Sequence, residues 1–126
     1  MGKKKYKYSD ITGKIIGCAM EVHNVLGNGF QEKIYQRALR YEMEQAGLKF
    51  AEEFWMPIKY KEIELGTRRV DFFVEEKVSV ELKAVLEMEN AHIAQAMNYM
   101  EAYNLEVGLL LNFGNTRLQF HRYEMY

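Results

Sequence analysis

Apolar residues recur every three to four positions from Ser9 onward, at Ile11, Ile15, Ala19, Val22 and Leu26, the spacing of one face of an α-helix. Ser9 is a residue type favoured at helix N-caps, and Asp10 suits the positive helix end. Gly27-Asn28-Gly29 then interrupts the stripe with residues that tolerate positive φ, so a tight reversal is predicted there. A second helix is predicted over residues 30–46, with Tyr35, Leu39, Met43 and Ala46 as its apolar stripe and Gly47 as its left-handed stop.

Between positions 48 and 85 the pattern changes to aromatic and β-branched residues with a single proline, Pro57, and predicts three antiparallel strands with a turn near Gly66-Thr67. Val70, Phe72 and Val74 alternate with Arg69, Asp71 and Phe73, and Val78, Val80 and Leu82 with Ser79, Glu81 and Lys83, so each strand has a core face and a second face. Helical spacing returns over residues 88–103 through Ile93, Met97 and Met100, and the apolar run 107–111 suits a strand buried on both sides. A crossover through the third helix is the expected link between two parallel strands. Gly114-Asn115 turns the chain into a last strand at 118–123. The reading is an α/β chain in α+β order: two helices, three strands, a helix and two strands, with a central mixed sheet flanked by helices.

The length of 126 residues is one domain's worth of chain. The expected division is a basic, flexible lead-in over residues 1–8 and a single domain over 9–126. Lysines and arginines number 17 against 18 acids, a net charge of −1, so no global field would hold a polyanion and any such partner needs local help. Lys3, Lys4, Lys5, Lys7, Arg68 and Arg69 are the visible basic candidates. The lone cysteine, Cys18, excludes an internal disulfide and a multi-cysteine zinc site and fits a reducing compartment. The lead-in lacks the apolar stretch of a secretory signal, and no apolar run approaches the ~20 residues of a membrane span. A cytoplasmic protein without a membrane partner is predicted; a homodimer and an unidentified protein partner both stay open.

Pairing Val74 with Val78 across a three-residue turn places Asp71 opposite Glu81, with Arg69 and Lys83 as the next pair on that face. Two carboxylates and a lysine would then project together from the face opposite the core residues. Carboxylates are the hard ligands that Mg²⁺ prefers, and the backbone carbonyl of Leu82 could add another. A short Glu-x-Lys pattern arises easily by chance, and Glu75-Glu76-Lys77 is a second copy; that copy falls at the predicted turn and is assigned no function. Glu32 heads the apolar stripe of the second helix. It is either a first-turn acid favoured by the helix dipole or a third carboxylate pointing into the cleft of Asp71. Gln95 and Tyr99, four apart, share a helix face with His92 nearby; by spacing alone they read as the polar margin of an amphipathic helix. His23 reads as a satisfied buried histidine, and Trp55 as a core or interface residue.

Asp71, then Glu81-Leu82-Lys83 on the next strand, with Glu32 on a preceding helix, resembles the PD-(D/E)xK nuclease-like superfamily with its restriction-endonuclease-like core. The segments from Glu21-Val22-His23 to Gly29, Glu32 and Tyr35, Val80 to Val85 and Leu109 to Phe113 resemble more closely its small bacterial GxxExxxR family. One departure is plain: the arginine position of that pattern holds Gln36, with Arg37 one residue later. Gln95-Ala96-Met97-Asn98-Tyr99 is similar to the Gln-x-x-x-Tyr helix of the RecB-like nuclease branch, and on that resemblance Gln95 and Tyr99 become substrate-binding residues. The resemblance implies hydrolysis of phosphodiester bonds in DNA or RNA. Asp71, Glu81, the Leu82 carbonyl and Glu32 would hold Mg²⁺ or Mn²⁺, and Lys83 would orient or help deprotonate the attacking water. The alternative is a catalytically inactive module of the same fold that binds nucleic acid or a protein partner.

Overall fold

The structure, a computed structural model, describes residues 7–103 and 105–125. Lys3, Lys4 and Lys5 of the expected lead-in lie outside the described residues. Helix α1 (Ser9–Leu26) and helix α2 (Glu32–Gln45) come first, followed by β1 (Phe50–Tyr60), β2 (Ile63–Val74) and β3 (Val78–Lys83). Helix α3 (Asn90–Tyr103) leads to β4 (Val107–Asn112) and β5 (Gln119–Glu124). The sheet runs β1-β2-β3-β4-β5 in space, antiparallel throughout except where β3 and β4 pair in parallel across α3.

The predicted element order holds, with local corrections. The cap of α1 falls on Tyr8, in a left-handed conformation at φ 54° without a side-chain cap, rather than on Ser9. Tyr8 packs against the core, and its carbonyl takes the N–H groups of Ile11 and Thr12, so chain entry is set by packing. Helix α2 starts at Glu32 because the Tyr35 hydroxyl holds the preceding loop: it donates to the Gly27 carbonyl at 2.6 Å and accepts from Phe30 N–H at 3.1 Å. Gly27 and Gly47 alone supply the positive φ expected of the glycines, at 73° and 76°. The turn expected near Gly66-Thr67 lies instead at Lys61-Glu62, both left-handed at φ 47° and 69°. Such a two-residue turn matches the strand twist, and a register shift between Ile58 and Lys59 accommodates it while Gly66 and Thr67 pair inside β2. Pro57 is tolerated because β1 is an edge strand.

Helices α1 and α2 cover one face of the sheet, where Ile15, Ala19, Tyr35, Leu39 and Met43 bury Phe72, Val74, Val80, Leu82, Leu109 and Leu111. Helix α3 covers part of the other face through Met100, Ile93 and Ala96 against Leu110 and Tyr123. Its contact stripe is therefore Ile93, Ala96 and Met100, while Met97, expected in that stripe, is 42% exposed. Gly108 allows the close seat of α3, because a Cβ there would meet Met100 Sδ at 2.6 Å and Ser79 Oγ at 2.7 Å. His23 is buried with Nε2 2.9 Å from the Asn115 carbonyl oxygen, and Trp55 is 61% exposed rather than core. Among the described residues no helix is long and apolar enough to cross a membrane.

Candidate active site

The β2–β3 ladder is short. It runs Val74↔Val78, Phe73↔Ser79 and Phe72↔Val80 and then stops. On the other side of β2 the register passes from Glu52↔Phe72 to Phe54↔Val70, skipping the pair Glu53 and Asp71, and Glu53 is left-handed at φ 56°. The sheet thus loosens on both sides of Asp71. A continued ladder would bring Leu82 towards Val70; instead the Leu82 N–H is donated to Asp71 Oδ2 at 2.8 Å. A side-chain acceptor standing in for a backbone one satisfies a buried donor and aims the carboxylate at the C-terminal half of β3.

The expected neighbours of Asp71 are partly rearranged. Glu81 takes Arg68, not Lys83, as its ion-pair partner: Arg68 Nη1 donates to Glu81 Oε1 at 2.6 Å. Arg69 pairs with Glu53 at 3.5 Å, and because the ladder ends at Phe72↔Val80 neither of the expected cross-strand pairs, Asp71 with Glu81 or Arg69 with Lys83, is part of it. The guanidinium of Arg68 stacks on Tyr99, 3.9 Å from the ring centroid. Arg68, Glu81, Lys83, His92, Gln95 and Tyr99 line one crevice between α3 and the sheet. Glu32, at the first turn of α2, has its carboxyl within electrostatic reach of Asp71 and Lys83. The spacing had left both readings of Glu32 open; the fold puts its charge within electrostatic reach of the Asp71 charge. The side chain of Leu82 is core and its N–H serves Asp71. Glu75, in the second Glu-x-Lys copy, accepts the Lys49 N–H at 2.7 Å and ties the β2–β3 turn to the start of β1.

All three carboxyls are held above the ordinary carboxylate range. For Asp71 burial is the main cause, opposed by the Leu82 N–H and by Arg68. For Glu81 burial again leads, opposed by Arg68 and reinforced by Asp71. For Glu32 loss of water around the carboxyl leads, with the Asp71 charge adding to it and Lys83 opposing it, although much of that side chain reaches solvent. Tyr123, on β5, is pushed up to about 12 by burial and by the Glu81 charge. The site is thus a set of carboxylates whose charges the protein alone compensates incompletely.

A family model described as the PD-(D/E)XK nuclease superfamily matches residues 9–123. The chain belongs to the PD-(D/E)XK nuclease superfamily. No curated protein matches. Among solved structures, the crystal structure of SSO0001 superposes with a TM-score of 0.57 at 15% identity, covering 93% of this chain and 59% of that one. The likeness is one of fold, and the chain spans well under two thirds of that structure's length. For a PD-(D/E)XK protein, three helices around a five-stranded mixed sheet are the matching architecture.

Members of this superfamily generally use divalent metals, and the donor set suits one: the carboxylates of Asp71, Glu81 and Glu32 are hard oxygen ligands, with no sulfur or imidazole among them. Among the described residues no three acidic, histidine or cysteine side chains already lie close enough together to form a cage. Arg68 is the site residue that sequence reasoning placed only among the basic candidates; its pairing with Glu81 depends on how the free part of β2 meets β3, which no local pattern encodes. Gln36 is buried in the arginine position of the GxxExxxR pattern and donates to Glu52 Oε2 at 2.8 Å and to Glu53 Oε1 at 3.4 Å, tying α2 to β1 one turn behind Glu32. Asn112 was likewise missed: fully buried, it joins β4 to the residues that follow Lys83.

Proposed function

We propose that the protein is a metal-dependent nuclease that hydrolyses phosphodiester bonds in DNA or RNA. The observation that supports this reading is that Asp71 and Lys83 lie within electrostatic reach of both Glu81 and Glu32 where the β2–β3 ladder opens, in a member of a nuclease superfamily. Asp71 and Glu81 would hold Mg²⁺ or Mn²⁺, with Glu32 and the Leu82 carbonyl as further oxygen donors. When bound, the ion would supply charge stabilisation at the phosphate and a water of lowered pKa. Lys83 contributes an ammonium with three donors and no acceptor; its part is to orient the attacking water against the phosphate. Gln95 and Tyr99, on the α3 wall of the same crevice, would contact the nucleic-acid strand. The small net charge assigns much of the affinity to these local contacts rather than to a general basic surface.

Incubation of the purified protein with single- and double-stranded DNA and RNA tests this reading. Cleavage is expected with Mg²⁺ or Mn²⁺, none with chelator, and none for Lys83→Ala, which should retain Mn²⁺ binding because an ammonium is not a ligand. Equal cleavage by wild type and Lys83→Ala would place the activity elsewhere. Nucleic-acid binding without cleavage under every condition would favour the inactive binding module.

A further inference from the structure

Arg68 lies on the part of β2 beyond the last residue paired with β3, and its side-chain contacts combine three features. It meets Glu81 at 2.6 Å, with the two side chains only 26% and 16% exposed. It lies on the ring of Tyr99, 3.9 Å from the centroid. It also shares its crevice with Lys83, His92 and Gln95. A guanidinium offers five N–H donors in a planar fork. Nη1 donates to Glu81 and, at 3.4 Å, to the Arg69 carbonyl, and the guanidinium also lies within reach of the Tyr99 and Tyr103 hydroxyls. Resting on the nuclease reading, we infer that Arg68 is an exchange residue. It holds Glu81 while the site is empty of metal, leaves it when a divalent cation is bound there, and then takes a phosphate oxygen of the nucleic-acid strand while still seated on Tyr99.

The electrostatics require a choice. One carboxylate cannot neutralise both a guanidinium and a dication a few ångströms apart, and in a half-buried crevice the repulsion between the two cations is weakly screened. Glu81 is therefore shared in time, not in space. Of the two cations Arg68 is the better phosphate partner, because its fork matches a tetrahedral anion bidentately and its plane stacks on an aromatic ring. Tyr99 keeps the same contact in both states and limits the distance the guanidinium must move. The exchange would couple the two ligands: metal uptake frees the arginine, and a phosphate on the arginine favours the metal-bound carboxylate.

Calorimetric titration with Mn²⁺ alone tests the first half. Arg68→Gln should bind Mn²⁺ roughly tenfold more tightly than wild type, since Glu81 no longer has a competing cation. Binding of a fluorescein-labelled oligonucleotide to the Lys83→Ala protein, with Mn²⁺ and with chelator, tests the second. Mn²⁺ should strengthen that binding roughly tenfold when Arg68 is present and leave it nearly unchanged when Arg68→Gln is added. Unchanged or weaker Mn²⁺ affinity in Arg68→Gln, or the same Mn²⁺ enhancement with and without Arg68, would reduce the arginine to a structural ion pair. Should Arg68→Gln fail to fold, Arg68→Met decides: the side chain keeps an apolar contact with Tyr99 but carries no charge, so tighter Mn²⁺ binding than wild type supports the exchange and equal or weaker binding overturns it. If wild type binds no Mn²⁺ but Arg68→Gln does, the arginine blocks the site and never leaves it, which overturns the exchange. If neither binds, both the exchange and the nuclease reading fall, whereas Mn²⁺ binding unaltered by the Arg68 substitutions removes the exchange alone.

Discussion

Asp71 combines two roles that pull in opposite directions. Its Oδ2 completes the hydrogen bonding of β3 at Leu82, while burial makes its charge costly. Asparagine keeps the acceptor and removes the charge, so Asp71→Asn separates the two. The pH dependence follows from the direction of the shift. A carboxyl whose folded pKa lies above its unfolded value, ordinarily about 4, stabilises the fold fully below that unfolded value and loses the contribution as pH rises through the folded pKa. Without metal, therefore, wild type and Asp71→Asn should melt at similar temperatures below about pH 4, and the variant should become the more stable of the two as pH rises to neutrality. Because Asp71 also raises Glu81 and Glu32, the variant should show a weaker pH dependence overall. Thermal scans at stepped pH in chelator decide it; a variant less stable than wild type at neutral pH would make the Asp71 charge structural.

At the level of elements, the position of Lys83 depends on how β3 ends. Asn112, in register with Lys83, has its Oδ1 accepting from Val85 N–H at 2.9 Å and Gly114 N–H at 3.1 Å. Its Nδ2 donates to the Val85 carbonyl at 2.9 Å and to Gln119 Oε1 at 2.8 Å. One buried amide thus joins the segment after β3 to β4 and β5. Gly114 permits the approach, since a Cβ there would come within 2.4 Å of the Val85 carbonyl oxygen. Asn112→Ala leaves several of these groups without partners, and a cost of ~2 to 4 kcal/mol is expected by chemical denaturation. Nuclease activity should fall further than stability alone explains, because the strand that carries Lys83 loses its tether. A loss below about 0.5 kcal/mol would show that water or a local shift replaces the amide. The β1–β2 hairpin has the opposite character: beyond Phe72 it has no partner strand in β3, and that freedom is what lets Arg68 meet Glu81 from the side.

For the whole molecule, metal and stability are linked. A ligand that binds only the folded state stabilises it by RT ln(1 + [L]/Kd), ~2.7 kcal/mol at a hundredfold excess over Kd. Saturating Mn²⁺ should raise the melting temperature of wild type and leave that of Asp71→Asn unchanged, because the carboxylates on both sides of the opened ladder are what a cation relieves. A wild type whose melting temperature ignores Mn²⁺ would sink the proposed site. The near-zero net charge adds that this response should come from the site and not from general attraction of cations, so 0.1 M monovalent salt, with its ~10 Å screening length, should leave most of it intact.

The sequence by itself determined the element order and the two sheet faces and offered the carboxylates as candidates, because periodicities of two and 3.6 residues are local properties; counting from the Val74↔Val78 hairpin holds only as far as Phe72↔Val80, one pair short of Asp71 and Glu81. It also located Lys83 beside Glu81 and the Gln95 and Tyr99 face of α3. Tertiary structure alone decided what those side chains meet. The turn moved from Gly66-Thr67 to Lys61-Glu62 because strand twist and a register shift outweighed the glycine signal. Arg68 reached Glu81 because the ladder opens at Asp71, and the fold brought Glu32, at the start of α2, within electrostatic reach of Asp71. These are encounters between residues 13 and 39 positions apart in the chain. Which of them form depends on how packed layers share a limited volume, a global outcome that no window of local sequence contains.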